Sequence, residues 1–190
     1  MDKETRGQLA LAVQVTRFSL VGALLLGLAQ QLLGAGTLLT ALLGICGLAY
    51  LGGVLMCVLR DSGKSRTQAA IALGLQLLGL VAVFVISPVR LFLSPLLFLG
   101  KLLLDLGAMA LFMFYLSNLS KEVGADDLVG HFRGLAVTLV AVPLVGFLAL
   151  KMVPPGLSFM VVLSAGVVML MFVLSFSGAA GTLAKKLNEA

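Results

Sequence analysis

Two ionisable residues, Lys101 and Asp105, lie four positions apart inside a long apolar stretch of the chain. On an α-helix, residues with this spacing share a face and can form an ion pair. Asp105 lies about 14 Å from the predicted start of its helix, too deep for so short a side chain to reach water. Such a group must be paired, protonated or hydrated. Two interpretations follow: Asp105 belongs to an ion or proton path, or it is a structural pin between helices.

Gln14 and Arg17 lie about one turn apart on the first apolar stretch. They could line the same path, with Arg17 as a second partner for Asp105 after Lys101. Side chains lean toward the N-terminus of a helix, so Arg17 could instead extend its guanidinium to lipid headgroups. A third interpretation has the membrane-spanning part begin only after Arg17, leaving an interfacial helix before it.

The only histidine lies in a polar connector expected at residues 120–133, where His131 follows Asp127 by four positions. An imidazole beside a carboxylate changes charge near neutral pH, which suggests a pH-responsive contact at the cytoplasmic mouth of a path. The alternative is a solvated loop histidine. Asp126 and Asp127 also resemble an N-cap pair for the helix that follows.

Other chemistry is not indicated. A single histidine with no cysteine nearby gives no metal-ligand spacing, and the serines inside apolar stretches have no base near them. Gly63-Lys64-Ser65 resembles the end of a phosphate-binding loop, but Val58 stands where the earlier glycine is required. We therefore expect no enzyme activity, no metal and no cofactor.

The elements that position these residues are apolar helices. Of the 190 residues, 61% are hydrophobic and 11% charged, whereas a soluble domain carries about 25% charged residues. No Asp, Glu, Lys, Arg or His occurs from Phe18 to Leu59, a run about twice the 20 residues that cross a bilayer. The net charge of +5 is scattered and forms no patch, so the expected partner is the lipid bilayer and not nucleic acid.

Charge-free windows and chain breakers predict six spans. The run that begins at Phe18 breaks at residues 34–37, and Ser-Pro pairs at 87–88 and 94–95 mark further boundaries. Pro143 should kink the fifth span. The predicted fold is an all-α integral membrane protein, a six-helix transmembrane bundle forming one domain over residues 1–190. The spans are expected at about 8–33, 37–59, 67–86, 95–118, 134–153 and 156–178.

Basic residues in the short loops predict the orientation. With the N-terminus in the cytoplasm, Arg90 and Lys151 are the only basic loop residues outside. An even number of spans then places both termini in the cytoplasm, in a multi-pass protein of the plasma (inner) membrane. The basic residues on the inner side are Lys3, Arg6, Arg60, Lys64, Arg66, Lys121, Arg133, Lys185 and Lys186.

Small residues on the second span, Ala49, Gly52 and Gly53, predict close helix packing more than a binding site. Two functions fit the sequence. The first is a channel or transporter for an ion or small solute, which must work as a homo-oligomer because one chain has too few polar residues to line a pore. The alternative is a non-catalytic scaffold or accessory subunit of a larger membrane complex. Asp105 favours the first.

Overall fold

The structure is a computed structural model that describes residues 2–33, 36–63, 65–86 and 94–189. This part of the chain is almost entirely helical and contains no strand, which confirms the all-α prediction. A single 3₁₀ turn, Pro155–Leu157, precedes the last helix. The long helices are α1 (Lys3–Leu33), α2 (Thr37–Arg60), α3 (Arg66–Ile86), α4 (Ser94–Glu122), α5 (Asp126–Met152) and α6 (Ser158–Glu189).

By length and composition, five of these helices could cross a membrane, and α3 contributes a shorter apolar segment, Arg66–Val81. The prediction of a multi-pass membrane protein is therefore confirmed at the level of five to six apolar helices. The five long candidates are Lys3–Gly27, Thr37–Arg60, Leu103–Glu122, Asp126–Gly146 and Ser158–Glu189.

The predicted connector at residues 120–133 is wrong. Only residues 123–125 separate α4 from α5, and Gly124 supports the tight turn with a left-handed φ of 73°. The N-cap of α5 is Ala125, and Asp126 and Asp127 lie in its first turn, where their charge suits the helix dipole. Charged residues end the apolar run in the sequence, but they do not end the helices, because an amphipathic helix carries charged residues on its exposed face.

The six helices pack as a closed ring in chain order. α1 contacts α2 and α6, α4 contacts α3 and α5, and the pairs α2–α3 and α5–α6 complete the ring. Both chain ends therefore lie at the same end of the bundle. Arg17 of α1 and Ser177 of α6, each more than ten residues from its terminus, are in direct contact and fix this alignment.

Burial divides the bundle into two parts. The part built from residues 2–19, 53–72, 108–139 and 172–189, here called the base, contains all the buried side chains that the structure describes. The remainder, here called the far half, is half-buried or exposed throughout its described residues except at Gly79. Many of the exposed side chains of the far half are large and apolar, such as Leu144, Met160 and Leu163.

This division has a physical cause. Leucine gains little by leaving lipid tails for a protein interior, so a membrane-embedded part need not bury its apolar side chains. The base carries nearly all the described charged residues and packs Phe112, Tyr115, Phe132 and Phe176 out of contact with solvent. We expect a part with such a surface to face headgroups and water.

α1 and α2 are in close contact at Gly53. A Cβ there would collide with Thr16 Oγ1 and lie 3.1 Å from the carbonyl oxygen of Ala12. Gly53 therefore lies directly against α1. A Cβ at Gly52 would meet nothing within 4 Å, and Ala49 is half-buried.

Candidate functional site: a polar file between α3 and α4

The Lys101 and Asp105 side chains form the ion pair that their spacing predicts, on the far-half part of α4. The Asp105 carboxylate also packs against α3, because Oδ1 lies 3.0 Å from the position that a Cβ of Gly79 would occupy. The side chains of Lys101 and Asp105 are 39% and 41% exposed. The pair is therefore held by α3 on one side and open on the other.

Toward the base, the next polar groups are Tyr50 on α2 and Gln76 on α3. Gln76 lies one turn from Gly79 and interacts with the Tyr50 hydroxyl. Within the described part of the chain, Tyr50 Oη and Gln76 Oε1 are buried without a well-formed hydrogen bond. The Tyr50 ring meets Phe112 of α4 edge to face at 6.1 Å, which holds it between α3 and α4.

Two turns further along α3, Gln68 meets α4. Asn118 Nδ2 donates a 2.8 Å hydrogen bond to Gln68 Oε1. Both side chains are half-buried, and the amide pair joins the helices where they enter the base. Gln68 and Gln76 are eight residues apart, so they share a face of α3.

At the end of α4 two carboxylates meet one hydroxyl. Asp61, 2% exposed, accepts hydrogen bonds of 2.7 Å from the backbone N–H of Gly63 and from Ser65 Oγ. Ser65 Oγ also lies 3.3 Å from Glu122 Oε1. A hydroxyl has one hydrogen to donate and here it faces two carboxyl groups. The hydroxyl oxygen lies closer to Asp61 than to Glu122 and joins the turn after α2 to the end of α4.

These side chains line a cleft that opens on the base. It has a volume of about 410 Å³ and is lined by Ser65, Asn118, Lys121 and Glu122. It therefore reaches from Asn118 of the amide pair to Glu122. Together the polar groups between α3 and α4, here called the polar file, extend about 26 Å along α4 from Asp105 to Glu122. The polar file consists of Lys101, Asp105, Tyr50, Gln76, Gln68, Asn118, Ser65, Asp61 and Glu122.

Arg17 and Gln14 do not belong to the polar file. Arg17 Nε donates a 2.8 Å hydrogen bond to Ser177 Oγ of α6, on a different side of the ring from α3 and α4. The expectation that Arg17 is a second partner of Asp105 is therefore wrong, because helix order places α6 and not α4 beside α1. Gln14 is half-buried on α1.

The predicted mouth at His131 and Asp127 is also corrected. His131 lies within α5, not in a loop, and its Nε2 is 3.0 Å from Ser175 Oγ of α6. Asp127 Oδ1 instead accepts a 2.7 Å bond from Lys186 Nζ of α6. Each side chain thus joins α5 to α6, and the structure places the cleft elsewhere, between α3 and α4.

Sequence reasoning missed most of the polar file at the base. Asn118 and Glu122 are four residues apart, as are Lys101 and Asp105, so a periodic polar pattern was present on α4. The predicted connector at residues 120–133 places Glu122 outside the helix, so the predicted polar pattern stops before this residue. Asp61 could not be found, since its burial depends on how α4 packs against the α2–α3 turn.

No protein-family model matches this chain, and no curated protein or solved structure matches it. Function must therefore be inferred from the geometry of the polar file and from the surfaces around it.

Proposed function

We propose that the protein is an oligomeric channel or transporter that conducts a small cation, in the simplest case a proton, along the polar file. The observation that carries this proposal is the Lys101–Asp105 pair in the far half, where a charged group costs a few kcal/mol without a compensating partner. Lys101 pairs with the Asp105 side chain between transfer events. A cation arriving at Asp105 would replace Lys101 as its partner.

The remainder of the polar file supplies the route to the base. Tyr50 Oη and Gln76 Oε1 are buried and interact with each other without a well-formed hydrogen bond among the described residues, and buried oxygens of this kind often bind water. The amide pair of Gln68 and Asn118 offers further oxygen and N–H groups. Asp61 and Glu122 provide carboxylates that attract a cation at the mouth.

The exposure of the ion pair supports an assembly of several chains. Two-fifths of the Lys101 and Asp105 side-chain surface is left open by the single chain. In a bilayer that surface would face lipid, which solvates charge poorly. A second copy packed against this side of α4 would cover the pair and close the path.

For orientation, we propose that the base faces the cytoplasm in the plasma (inner) membrane, with both termini inside. The support is the bias of basic residues, because those of the base outnumber Arg90, Lys101 and Lys151. We also propose that the six helices form one domain, without catalytic activity.

The decisive experiment is cation flux into liposomes that contain purified protein. We expect a pH gradient to drive proton uptake, and Asp105→Asn to reduce that uptake at least tenfold while the variant elutes from size-exclusion chromatography as the wild type does. Asp126→Asn is the matched control, since Asp126 is exposed in the first turn of α5. Equal flux through wild type and Asp105→Asn would overturn the proposal. Replacing the pH gradient by Na⁺ or K⁺ gradients identifies the cation.

A second candidate function is a scaffold or accessory subunit, favoured by a groove between α5 and α6. This apolar groove of about 490 Å³ is lined by small residues such as Ala141, Gly146, Ala149 and Ala165, which allow another helix to approach closely. Absence of flux, together with a stable complex with unlike chains after mild solubilisation, would favour this alternative.

A further inference from the structure

The Arg17 side chain packs between α1 and α6, at a position here called the Arg17 site. Its Nε donates to Ser177 Oγ at 2.8 Å, and its Cζ lies 5.0 Å from the centre of the Phe18 ring. These contacts orient the guanidinium plane from two sides. The side chain is half-buried, so it is accessible at one edge.

Gly181 of α6 also borders the Arg17 site. A Cβ at this position would lie 2.7 Å from Arg17 Nη1 and 3.1 Å from Cζ, so the guanidinium occupies space that any larger residue would fill. Gly178, one turn away, would meet nothing within 4 Å. The two glycines therefore differ in one respect that can be tested: only Gly181 leaves space for Arg17.

The Arg17 charge is not matched by an acidic group. In the described ranges, the three ion pairs are Lys101–Asp105, Lys185–Glu189 and Lys186–Asp127, and Arg17 takes part in none of them. A guanidinium has five N–H donors, of which Nε–H is used by Ser177. The Nη1 and Nη2 groups thus present a charged, planar fork, a shape that binds carboxylate or phosphate through two hydrogen bonds.

The Arg17 site lies where the bundle surface changes from apolar to polar. On α6 the exposed residues before Ser177 include Met171 and Leu174, and those after it include Thr182 and Lys185. On α5, exposed His131 bonds to Ser175 at the same level. Such a boundary on a membrane protein is the depth at which lipid phosphates lie.

We propose that Arg17 binds the phosphate of an anionic phospholipid where α1 packs against α6, with its guanidinium oriented by Ser177, Phe18 and Gly181. The two Nη groups donate to phosphate oxygens, and the acyl chains run along the exposed apolar surface of the far half. This site is separate from the polar file and does not depend on cation conduction. The lipid phosphate would balance a half-buried cation that takes part in none of the described ion pairs.

The test is native mass spectrometry of the detergent-solubilised full chain, titrated with phosphatidylglycerol or phosphatidylcholine. We expect phosphatidylglycerol to bind more tightly, and Arg17→Gln to weaken its binding about tenfold, which corresponds to about 1.4 kcal/mol. Gly181→Ala should weaken binding similarly, because it displaces the guanidinium, whereas Gly178→Ala should bind as the wild type does. Unchanged phosphatidylglycerol binding by Arg17→Gln would overturn the proposal.

Two further measurements separate the remaining outcomes. Ser177→Ala removes one hydroxyl and should weaken lipid binding about threefold, since it loses one orienting hydrogen bond, so it tests the site even if Gly181→Ala fails to fold. Inorganic phosphate in excess should not displace the lipid. Full displacement by inorganic phosphate would show a general anion site and contradict the assignment to phospholipid.

Discussion

The carboxylate of Asp105 packs against the backbone of Gly79, with Oδ1 3.0 Å from the position that a Cβ would occupy. A glycine at this point of α3 lets an acidic side chain of α4 reach the helix surface. The position of the charge is therefore set by a residue with no side chain. Gly79 is also the only described residue of the far half that is buried, because α3 and α4 touch there.

This contact predicts a matched pair of variants on α3. Gly79→Ala should move the Asp105 carboxylate and reduce cation flux in liposomes about tenfold, since a catalytic or conducting group displaced by about 1 Å loses much of its activity. Gly74→Ala adds the same methyl group where nothing lies within 4 Å. Flux through Gly74→Ala should match the wild type.

Two outcomes would contradict this prediction. Alanine has the higher helix propensity, so both variants gain the same intrinsic helix stability. A loss of flux in both Gly79→Ala and Gly74→Ala would mean that the substitutions disturb α3 itself and not only the position of the Asp105 carboxylate. No loss in Gly79→Ala would show that the carboxylate position does not limit conduction.

A second prediction concerns the α1–α2 crossing. Gly53→Ala should destabilise the protein by about 1–3 kcal/mol, because its methyl group meets Thr16 Oγ1 and the α1 backbone and forces the helices apart. Gly52→Ala, whose methyl group meets no neighbour, should be neutral or stabilising by up to about 1 kcal/mol. Unfolding in mixed micelles by increasing sodium dodecyl sulfate measures both. If Gly53→Ala and Gly52→Ala change the stability equally, the close contact of α1 and α2 at residue 53 is contradicted.

The sequence was sufficient to predict helices, their number and the Lys101–Asp105 pair. These features depend on local hydropathy and on the four-residue repeat of a helix, which neighbours along the chain determine. It was not sufficient for the helix ends at the base. Residues 120–133 are polar enough to suggest a loop, yet residues 120–122 end α4 and residues 126–133 begin α5, where the buried Phe132 ring packs against Phe176 at a centroid distance of 6.4 Å.

Partners across helices were harder to predict than partners along one helix. Arg17 could have paired with any helix beside α1, and the sequence does not state which helices are neighbours. The closed ring places α6 there, so Ser177 is its partner. For the same reason Asp127 pairs with Lys186, which is 59 residues away, instead of with His131 on its own helix.

A third prediction concerns the hydroxyl between the two carboxyl groups at the mouth. Ser65→Ala should destabilise the protein by about 1–3 kcal/mol, because Asp61 Oδ2 loses its 2.7 Å donor in a site where Asp61 is 2% exposed. Ser62→Ala is the control, since Ser62 is exposed in the same turn. Chemical unfolding followed by circular dichroism measures both variants. If Ser62→Ala has the same effect, the turn and not the hydroxyl is responsible.

The amide pair of Gln68 and Asn118 allows a fourth prediction, by a double-mutant cycle. Gln68→Leu and Asn118→Leu each break the 2.8 Å hydrogen bond, so the double variant should be more stable than the sum of the single effects predicts. Hydrogen bonds between membrane helices give coupling energies of about 0.6 kcal/mol on average and up to about 1.7 kcal/mol, and this interhelical bond should fall in that range. Gln8, half-buried in the N-terminal part of α1 and bonded to Glu4 of the same helix, supplies the control: Gln8→Leu and Asn118→Leu should be additive, because the two residues share no partner. Coupling in the control cycle, or none between Gln68 and Asn118, would contradict the contact that joins the two sections of the polar file.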